Sequence, residues 1–99
     1  MRIKARIVFR KPEEGGWSQP HYSGVKPLLR LGDIFTSCAV WGRTTDQVFE
    51  PGVEYEVNLE PALWEEYGHL IQLGMAVQLN DGSRIVATGI VVERDTAGS

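Results

Sequence analysis

The residues able to perform nucleophilic or metal chemistry in this 99-residue chain are few and widely spaced. Cys38 is the single cysteine, and His21 and His69 are the two histidines. A nucleophile needs a base within hydrogen-bond reach and a third group to orient that base, and zinc needs several such side chains at ligand spacing. The sequence brings neither histidine to Cys38, and Glu65-Glu66 is typical of a solvated turn. We therefore predict no catalytic residue, metal site or cofactor, and a buried thiol at Cys38.

Phosphate binding is the second kind of chemistry to consider, because the chain contains paired glycines. Nucleotide-binding loops of the GxxxxGK[ST] type end in a lysine and lead into a helix whose N-terminus faces the phosphates. That pattern does not occur, and the Gly15-Gly16 pair follows Glu14 without such a lysine. We predict that the protein neither binds nor hydrolyses GTP.

Aromatic side chains in an early loop offer binding chemistry without catalysis. Trp17, His21 and Tyr22 precede Lys26 and Arg30. Aromatic platforms interleaved with cations stack the bases of single-stranded nucleic acids. In a chain of this length such rings also serve as core residues, so both interpretations remain open.

A second aromatic segment lies in residues 61–69, where Trp64 and Tyr67 flank the two acidic residues Glu65 and Glu66. Tryptophan and tyrosine are over-represented among the residues that dominate protein interfaces. The alternative is that Trp64 folds back and caps the open end of the fold. The sequence does not separate these two roles.

Length and composition indicate one water-soluble domain. The hydrophobic content is 42%, the net charge is −3, and no apolar run approaches the roughly 18 residues of a membrane helix. The N-terminal segment interleaves charges with apolar residues, unlike a secretory signal, so we expect a cytoplasmic protein that does not bind membranes. Residues 1–30 carry seven basic and two acidic side chains, whereas residues 31–99 carry three basic and eleven acidic ones. A local basic strip on an acidic body is one possibility, and ordinary solvated strand faces are the other.

The apolar pattern indicates several short strands. Residues 2–10 alternate with the period of a half-buried strand, which places Ile3, Ala5, Ile7 and Phe9 on the inward face and Arg2, Lys4 and Arg6 on the outward face. Residues 28–31 and 34–41 are expected to form one bent strand or two adjacent strands, and a further strand is expected at 53–59. The segments 70–79 and 84–93 are expected to form a hairpin around Asp81-Gly82. A short helical turn is expected in residues 61–69, with Pro61 in its first turn and Gly68 as its C-terminal cap. Strands at this spacing predict an antiparallel barrel or sandwich.

Four segments, in order, resemble the C-terminal (third) β-barrel domain of elongation factor Tu. The opening loop Glu13-Glu14-Gly15-Gly16-Trp17-Ser18-Gln19-Pro20-His21-Tyr22-Ser23-Gly24-Val25-Lys26-Pro27 carries most of the likeness. Arg30-x-x-Asp33-Ile34 is similar to the family's Arg-Thr-Thr-Asp-Val, Pro51-Gly52 to its Met-Pro-Gly-Asp turn, and Asp81–Val91 to its closing glycine-rich strand. The resemblance implies an all-β, six-stranded antiparallel Greek-key barrel over residues 1–94, with a polar tail at 95–99. It also implies a barrel that stands without the family's GTPase domain.

In the family this domain forms one wall of a tRNA-binding site, and the resemblance places the corresponding face at Trp17, Ser18, Arg30, Glu60, Gly82 and Arg84. The Arg-His pair of the family is replaced by Trp17-Ser18, and its lysine before a proline is replaced by Glu60. Two cations become neutral and a third becomes an anion. Because phosphate contacts supply much of the affinity for nucleic acid, tRNA binding is possible but disfavoured.

The sequence therefore favours a non-catalytic binding module that recognises a protein partner through the aromatic residues of loops 13–24 and 61–69, namely Trp17, His21, Tyr22, Trp64 and Tyr67. A protein that docks on elongation factor Tu could be captured by such a mimic, in an immunity or regulatory role. The alternative is a translation-associated tRNA- or RNA-binding module that uses the basic face of the first strand.

Overall fold

The computed structural model describes residues 3–94, so Arg2 and the tail at 95–99 lie outside the described residues. Within this range are eight strands, one helical turn called α1, and two short 3₁₀ turns at Pro12–Glu14 and Gly68–Leu70. The strands are β1 (Ile3–Phe9), β2 (His21–Tyr22), β3 (Leu28–Leu31), β4 (Ile34–Trp41), β5 (Val48–Phe49), β6 (Glu54–Pro61), β7 (Ala76–Asp81) and β8 (Arg84–Arg94), and α1 spans Trp64–Tyr67.

Six of the strands close into a barrel in the order β1-β6-β4-β3-β7-β8, and every pairing is antiparallel. Strand β1 lies beside β6 rather than beside β3, the next barrel strand in the chain. The sequential neighbours β3, β4 and β6 together with β1 therefore form a Greek key. The pairing of β8 with β1 closes the barrel, which leaves no long sheet edge open. The predicted fold class is confirmed.

The alternation of apolar and charged residues in β1 matches the alternation of buried and exposed side chains in the structure. Ile3, Ala5, Ile7 and Phe9 are fully buried, whereas Arg6 is exposed and Lys4 is partly exposed. A register slip of one residue would bury the charges, at a cost of several kcal/mol for each unpaired ion. The inward and outward faces are thus as predicted for the described residues, and Arg2 lies outside them.

Residues 28–41 form two adjacent strands rather than one bent strand, because Gly32 takes a positive φ of 63° in the tight turn of a hairpin. Other boundaries differ from the sequence-based expectations. Pro61 ends β6, opposite Cys38, and the placement of Pro61 in a helix was wrong. The helical turn begins only after Leu63, whose φ of 54° reverses the chain, and Gly68 is its C-cap as expected. Strand β7 begins at Ala76 rather than at Leu70.

The short strands β2 and β5 were missed. They pair with each other outside the barrel, His21 opposite Phe49 and Tyr22 opposite Val48. Two-residue strands are too short to show a period of two, so nothing in the local pattern distinguishes them from loop.

The register of β1 and β6 defines the two ends of the barrel. Ile3 is opposite Leu59 and Val8 is opposite Glu54, so the loop that follows β1 and the connection that follows β6 leave from opposite ends. We call the first the His21 end; it includes residues 10–24 and β5. We call the second the Trp64 end; it includes residues 61–75 and the turn between β3 and β4.

Candidate protein-binding surface

The aromatic residues of the early loop close the His21 end of the barrel. His21 is only 7% exposed. Its ring centroid lies 4.7 Å from that of Phe9 and 3.8 Å from that of Trp17, and Phe9 in turn lies 5.4 Å from Phe49. His21 is therefore part of the interior. Its predicted role as a surface contact for a protein partner is corrected by this burial.

Burial also sets the protonation state of His21. Removal of the imidazole from water disfavours its charged form and lowers its pKa from 6.5 to about 4. The side chain is neutral at physiological pH and acts there as an aromatic packing residue.

Trp17 and Tyr22 differ in their availability to a partner. The indole of Trp17 is half-buried, and its Nε1–H donates a hydrogen bond of 2.6 Å to Oδ2 of Asp81 in the β7–β8 hairpin. This bond fastens the loop to the barrel. The ring of Tyr22 is 61% exposed, so it is the member of this aromatic group that remains free for contact.

The six residues of the expected tRNA-like face do not form one surface. Trp17, Ser18 and Arg84 line a common cavity of about 320 Å³ at the His21 end. Gly82 lies in the adjoining β7–β8 turn. Glu60 instead lines a depression with Lys26 and Pro61. Arg30 lies by the turn between β3 and β4, where its Nε donates to the carbonyl of Gly32.

The basic residues of β1 are flanked by acidic residues on both neighbouring strands. Lys4 Nζ lies 3.8 Å from Oε1 of Glu56, which is also the direct cross-strand partner of Arg6. On the other side Lys4 is opposite Glu93. On the described part of this face, positive side chains of β1 lie beside negative side chains of β6 and β8, so the face does not form a continuous positive strip.

The aromatic residues of the second segment close the other end of the barrel. Trp64 and Tyr67 are half-buried and pack against the buried core. The Cζ atom of Arg94 lies 5.5 Å from the ring centroid of Trp64, and Nη2 of Arg94 donates to the carbonyl of Gly68 at 3.1 Å. The end of β8 is thus fastened to α1. These contacts favour Trp64 as a cap over Trp64 as a free interface anchor.

Exposed apolar side chains, in contrast, gather around the Trp64 end. Eight large hydrophobic residues are exposed among the described residues, and six of them lie in or beside this end. We call these six the apolar rim: Ile34 and Phe35 after the β3–β4 turn, Leu63, Leu70 and Leu73 in the connection, and Ile90 opposite Ala76. Leu63 is 59% and Leu73 is 67% exposed. Sequence reasoning missed the rim, because the apolar residues Leu70 and Leu73 lie in a segment expected to be a strand and a lone Leu63 beside Trp64 has no pattern that indicates exposure.

The two predicted contact loops cannot form a single surface. Loop 13–24 lies at the His21 end, and the connection 61–69 lies at the Trp64 end. A partner that approaches one end meets one loop only, so the combined surface predicted from sequence is replaced by two separate ends.

Among residues 3–94 no side-chain hydrogen bond joins Cys38 to a histidine, and Sγ of Cys38 donates instead to the carbonyl of Ala39 at 3.7 Å. Cys38 is buried, and removal from water raises the pKa of its thiol to about 12, so the nucleophilic thiolate is scarce at neutral pH. His21 lies at the His21 end and His69 in the connection at the Trp64 end. Within residues 3–94, no three His, Cys, Asp or Glu side chains are grouped as metal ligands. The same range contains no helix that is long and apolar enough to span a bilayer.

Comparison with known protein families gives no assignment, since no family model matches the sequence.

Proposed function

We propose that the chain is a non-catalytic protein-binding module that recognises its partner at the Trp64 end. The apolar rim is the observation that carries this proposal. Single exposed leucines are ordinary on protein surfaces. Of the eight large apolar residues that are exposed within residues 3–94, six lie at one end of the barrel, and such a concentration is typical of an interaction site.

Charge indicates the kind of partner. Asp33 adjoins Ile34 and Phe35, and Glu65 and Glu66 follow Leu63, and all three acidic side chains are exposed. Arg30, opposite Phe35, is the basic side chain on β3. The rim therefore suits a protein that presents apolar side chains surrounded by lysine or arginine, because complementary charge speeds association and excludes partners of the wrong sign.

The resemblance to the third domain of elongation factor Tu supports a more specific form of the proposal. The closed antiparallel barrel is the fold that this resemblance implies. A protein that docks on that domain in the elongation factor could be captured by this chain, which would serve a regulatory or immunity role.

A translation-associated RNA-binding role has less support. Affinity for nucleic acid grows with the number of cations that neutralise phosphates. The described basic residues of β1 are paired or flanked by Glu56 and Glu93, and the residues of the tRNA-like face are divided between different parts of the barrel.

The test compares two variants that remove equal numbers of exposed apolar residues from opposite ends. The first carries Leu63→Asn and Leu73→Ser; asparagine tolerates the positive φ at position 63. The control carries Tyr22→Ser and Val53→Ser at the His21 end. A partner is identified by affinity purification with unmodified protein, then purified, and its Kd for all three proteins is measured by calorimetry.

We expect the first variant to weaken binding by about 2 kcal/mol or more, roughly 30-fold in Kd, and the control to bind as the unmodified protein does. Equal affinities for all three proteins would refute the proposed surface. A parallel filter-binding assay uses total tRNA at physiological salt, and saturable binding there would favour the RNA-binding alternative.

A further inference from the structure

Strand β4 extends past the end of its neighbour β6. The two strands pair only from Cys38 onwards, where Pro61, the last residue of β6, lies opposite Cys38. One further bond follows, in which the N–H of Ala62 donates to the carbonyl of Ser37 at 2.8 Å, and the chain then leaves the sheet for α1. Among the described residues, the first part of β4, residues 34–36, therefore has a strand on its β3 side only.

The backbone of Phe35 faces this free edge. In an antiparallel pair, residues that exchange both backbone hydrogen bonds alternate with residues that exchange neither. The N–H of Cys38 donates to the carbonyl of Pro27 on the β3 side, and the carbonyl of Ser37 accepts on the β6 side. Phe35 lies two residues before Ser37, so its N–H and its carbonyl also point to the β6 side. Within residues 3–94 no backbone group pairs with either of them.

The edge lacks the features that usually keep a free strand unpaired. Proteins block such edges with charged side chains, prolines or bulges. The segment Ile34-Phe35-Thr36-Ser37 contains neither a charge nor a proline, and its register with β3 is continuous. Ile34 and Phe35 are 39% and 45% exposed and belong to the apolar rim. An unpaired donor and acceptor beside apolar side chains favour an extended backbone, since the backbone groups of a helix are bonded internally.

The charges at this end of the barrel favour a basic partner over a second copy of the chain. Asp33 lies in the β3–β4 turn and Glu65 and Glu66 lie in α1, and all three are exposed. The neighbouring cation, Arg30, donates its Nε–H to the carbonyl of Gly32. Two copies paired edge to edge would bring acidic groups of both to one interface, where like charges repel each other. A segment that carries lysine or arginine meets charges of opposite sign.

We propose that an extended segment of a partner protein adds to the free edge of β4 as a further antiparallel strand. The segment continues the direction of β6, and one of its residues exchanges both backbone hydrogen bonds with Phe35. Residues directly opposite each other share a face of the sheet, so an apolar side chain of the segment packs beside Phe35, with lysine or arginine at the alternate positions. The inference rests on the proposed function, because it specifies how the partner binds the apolar rim.

The experiment is an NMR titration of the full chain with an acetylated and amidated heptapeptide in which four lysines alternate with three valines. Two comparison peptides are N-methylated, one at the three valines and the other at three lysines. Backbone N–H groups of alternate residues point to opposite edges of a strand, and the valine N–H groups face Phe35 in the proposed pairing. We expect a saturable shift of the Phe35 amide, with Kd below about 1 mM. Methylation at valine should weaken binding by about tenfold or more, and methylation at lysine should change it by less than about twofold.

Two substitutions at one position separate the backbone bond from the aromatic contact. Phe35→Ala removes the ring and keeps the N–H, whereas Phe35→Pro removes both, and proline is tolerated in an edge strand where the N–H faces outward. Phe35→Pro should bind the heptapeptide about tenfold more weakly than Phe35→Ala. The amide spectra report whether each variant is folded, and the methylated peptides decide the question with unmodified protein if Phe35→Pro is not.

The outcomes distinguish this inference from the proposed function. The absence of a saturable shift, or equal binding of the two methylated peptides, would overturn strand addition. The apolar rim would still stand if Leu63→Asn with Leu73→Ser weakened binding of the purified partner. Sedimentation of the unmodified protein tests the other occupant, since a dimer that Phe35→Pro dissociates would assign the edge to a second copy and overturn the proposal.

Discussion

His21 shows how a residue that is often chosen as a catalytic or binding candidate can serve the interior instead. Its ring packs between those of Trp17 and Phe9 at tilted angles, and burial lowers its pKa to about 4. In the unfolded chain its pKa returns to an ordinary value near 6.5. Between these two values the unfolded state binds a proton that the folded state does not.

The resulting prediction concerns acid stability. Because the unfolded state binds more protons as the pH falls from 6.5 to about 4, the free energy of unfolding should decrease over that interval and be insensitive to His21 above it. The shift sets an upper bound of about 3 kcal/mol on the loss. His21→Phe removes the titrating group while keeping a ring, so denaturant unfolding at several pH values should show a shallower acid loss than in unmodified protein.

His69→Gln is the matched control, since His69 is exposed. It should retain the pH dependence of the unmodified protein. If His21→Phe and unmodified protein lost stability in parallel below pH 6.5, a neutral buried His21 would be contradicted.

The role of His21 was not predictable from neighbouring residues. Its burial depends on Phe49, which comes 28 positions later and belongs to a two-residue strand. Likewise, the bond from Trp17 to Asp81 joins residues 64 positions apart. Local patterns identify ring-rich segments, whereas long-range pairing decides which rings are buried.

At the scale of elements, β8 is the longest strand and pairs with both β7 and β1. It includes Gly89 opposite Ile7 and opposite Val77. A Cβ atom at Gly89 would overlap the carbonyl of Arg6 and lie 2.8 Å from Cα of Ile7. Glycine is therefore required there by close approach of two backbones, as is common where a sheet curves into a barrel.

We predict that Gly89→Ala destabilises the fold by about 2–4 kcal/mol, because the added methyl group must push β8 away from β1. Urea unfolding measures the change. The neighbouring substitution Thr88→Ala, at an exposed position of the same strand, should alter stability by less than about 1 kcal/mol. Similar effects of the two substitutions would show that β8 and β1 are not in such close contact.

The strands that sequence patterns predicted well are those with one buried and one exposed face. Apolar and polar residues alternate along β1 and β6, and this alternation identifies which of their side chains are buried and which are exposed. Two apolar runs around Gly32-Asp33 are compatible with one bent strand or with two strands. The positive φ of Gly32 in the structure decides for the β3–β4 hairpin. Residues 70–75 were assigned to a strand because they are apolar, yet Leu70 and Leu73 are exposed in a connection.

At the scale of the whole molecule, the register of the barrel determines which loops can act together. Sequence order suggested one aromatic surface from two segments, but antiparallel pairing of β1 and β6 sends those segments to opposite ends. Each end is closed by aromatic residues, and the exposed apolar residues concentrate at one of them. No local signal in the sequence predicts this arrangement, since it depends on the topology of the closed barrel.

The final prediction separates the cap from the rim at the Trp64 end. Trp64 packs on the core and under Arg94, so Trp64→Ala should lower the free energy of unfolding by about 2 kcal/mol, roughly half the cost at a fully buried tryptophan. Leu73→Ala, at an exposed position of the same connection, should change it by less than about 0.5 kcal/mol. Urea unfolding of both variants measures the difference. Because a cap contributes to folding and a rim residue contributes to association, Leu73→Ala should instead weaken partner binding. A stable Trp64→Ala protein that fails to bind its partner would show that Trp64 is an interface anchor and that the barrel end closes without it.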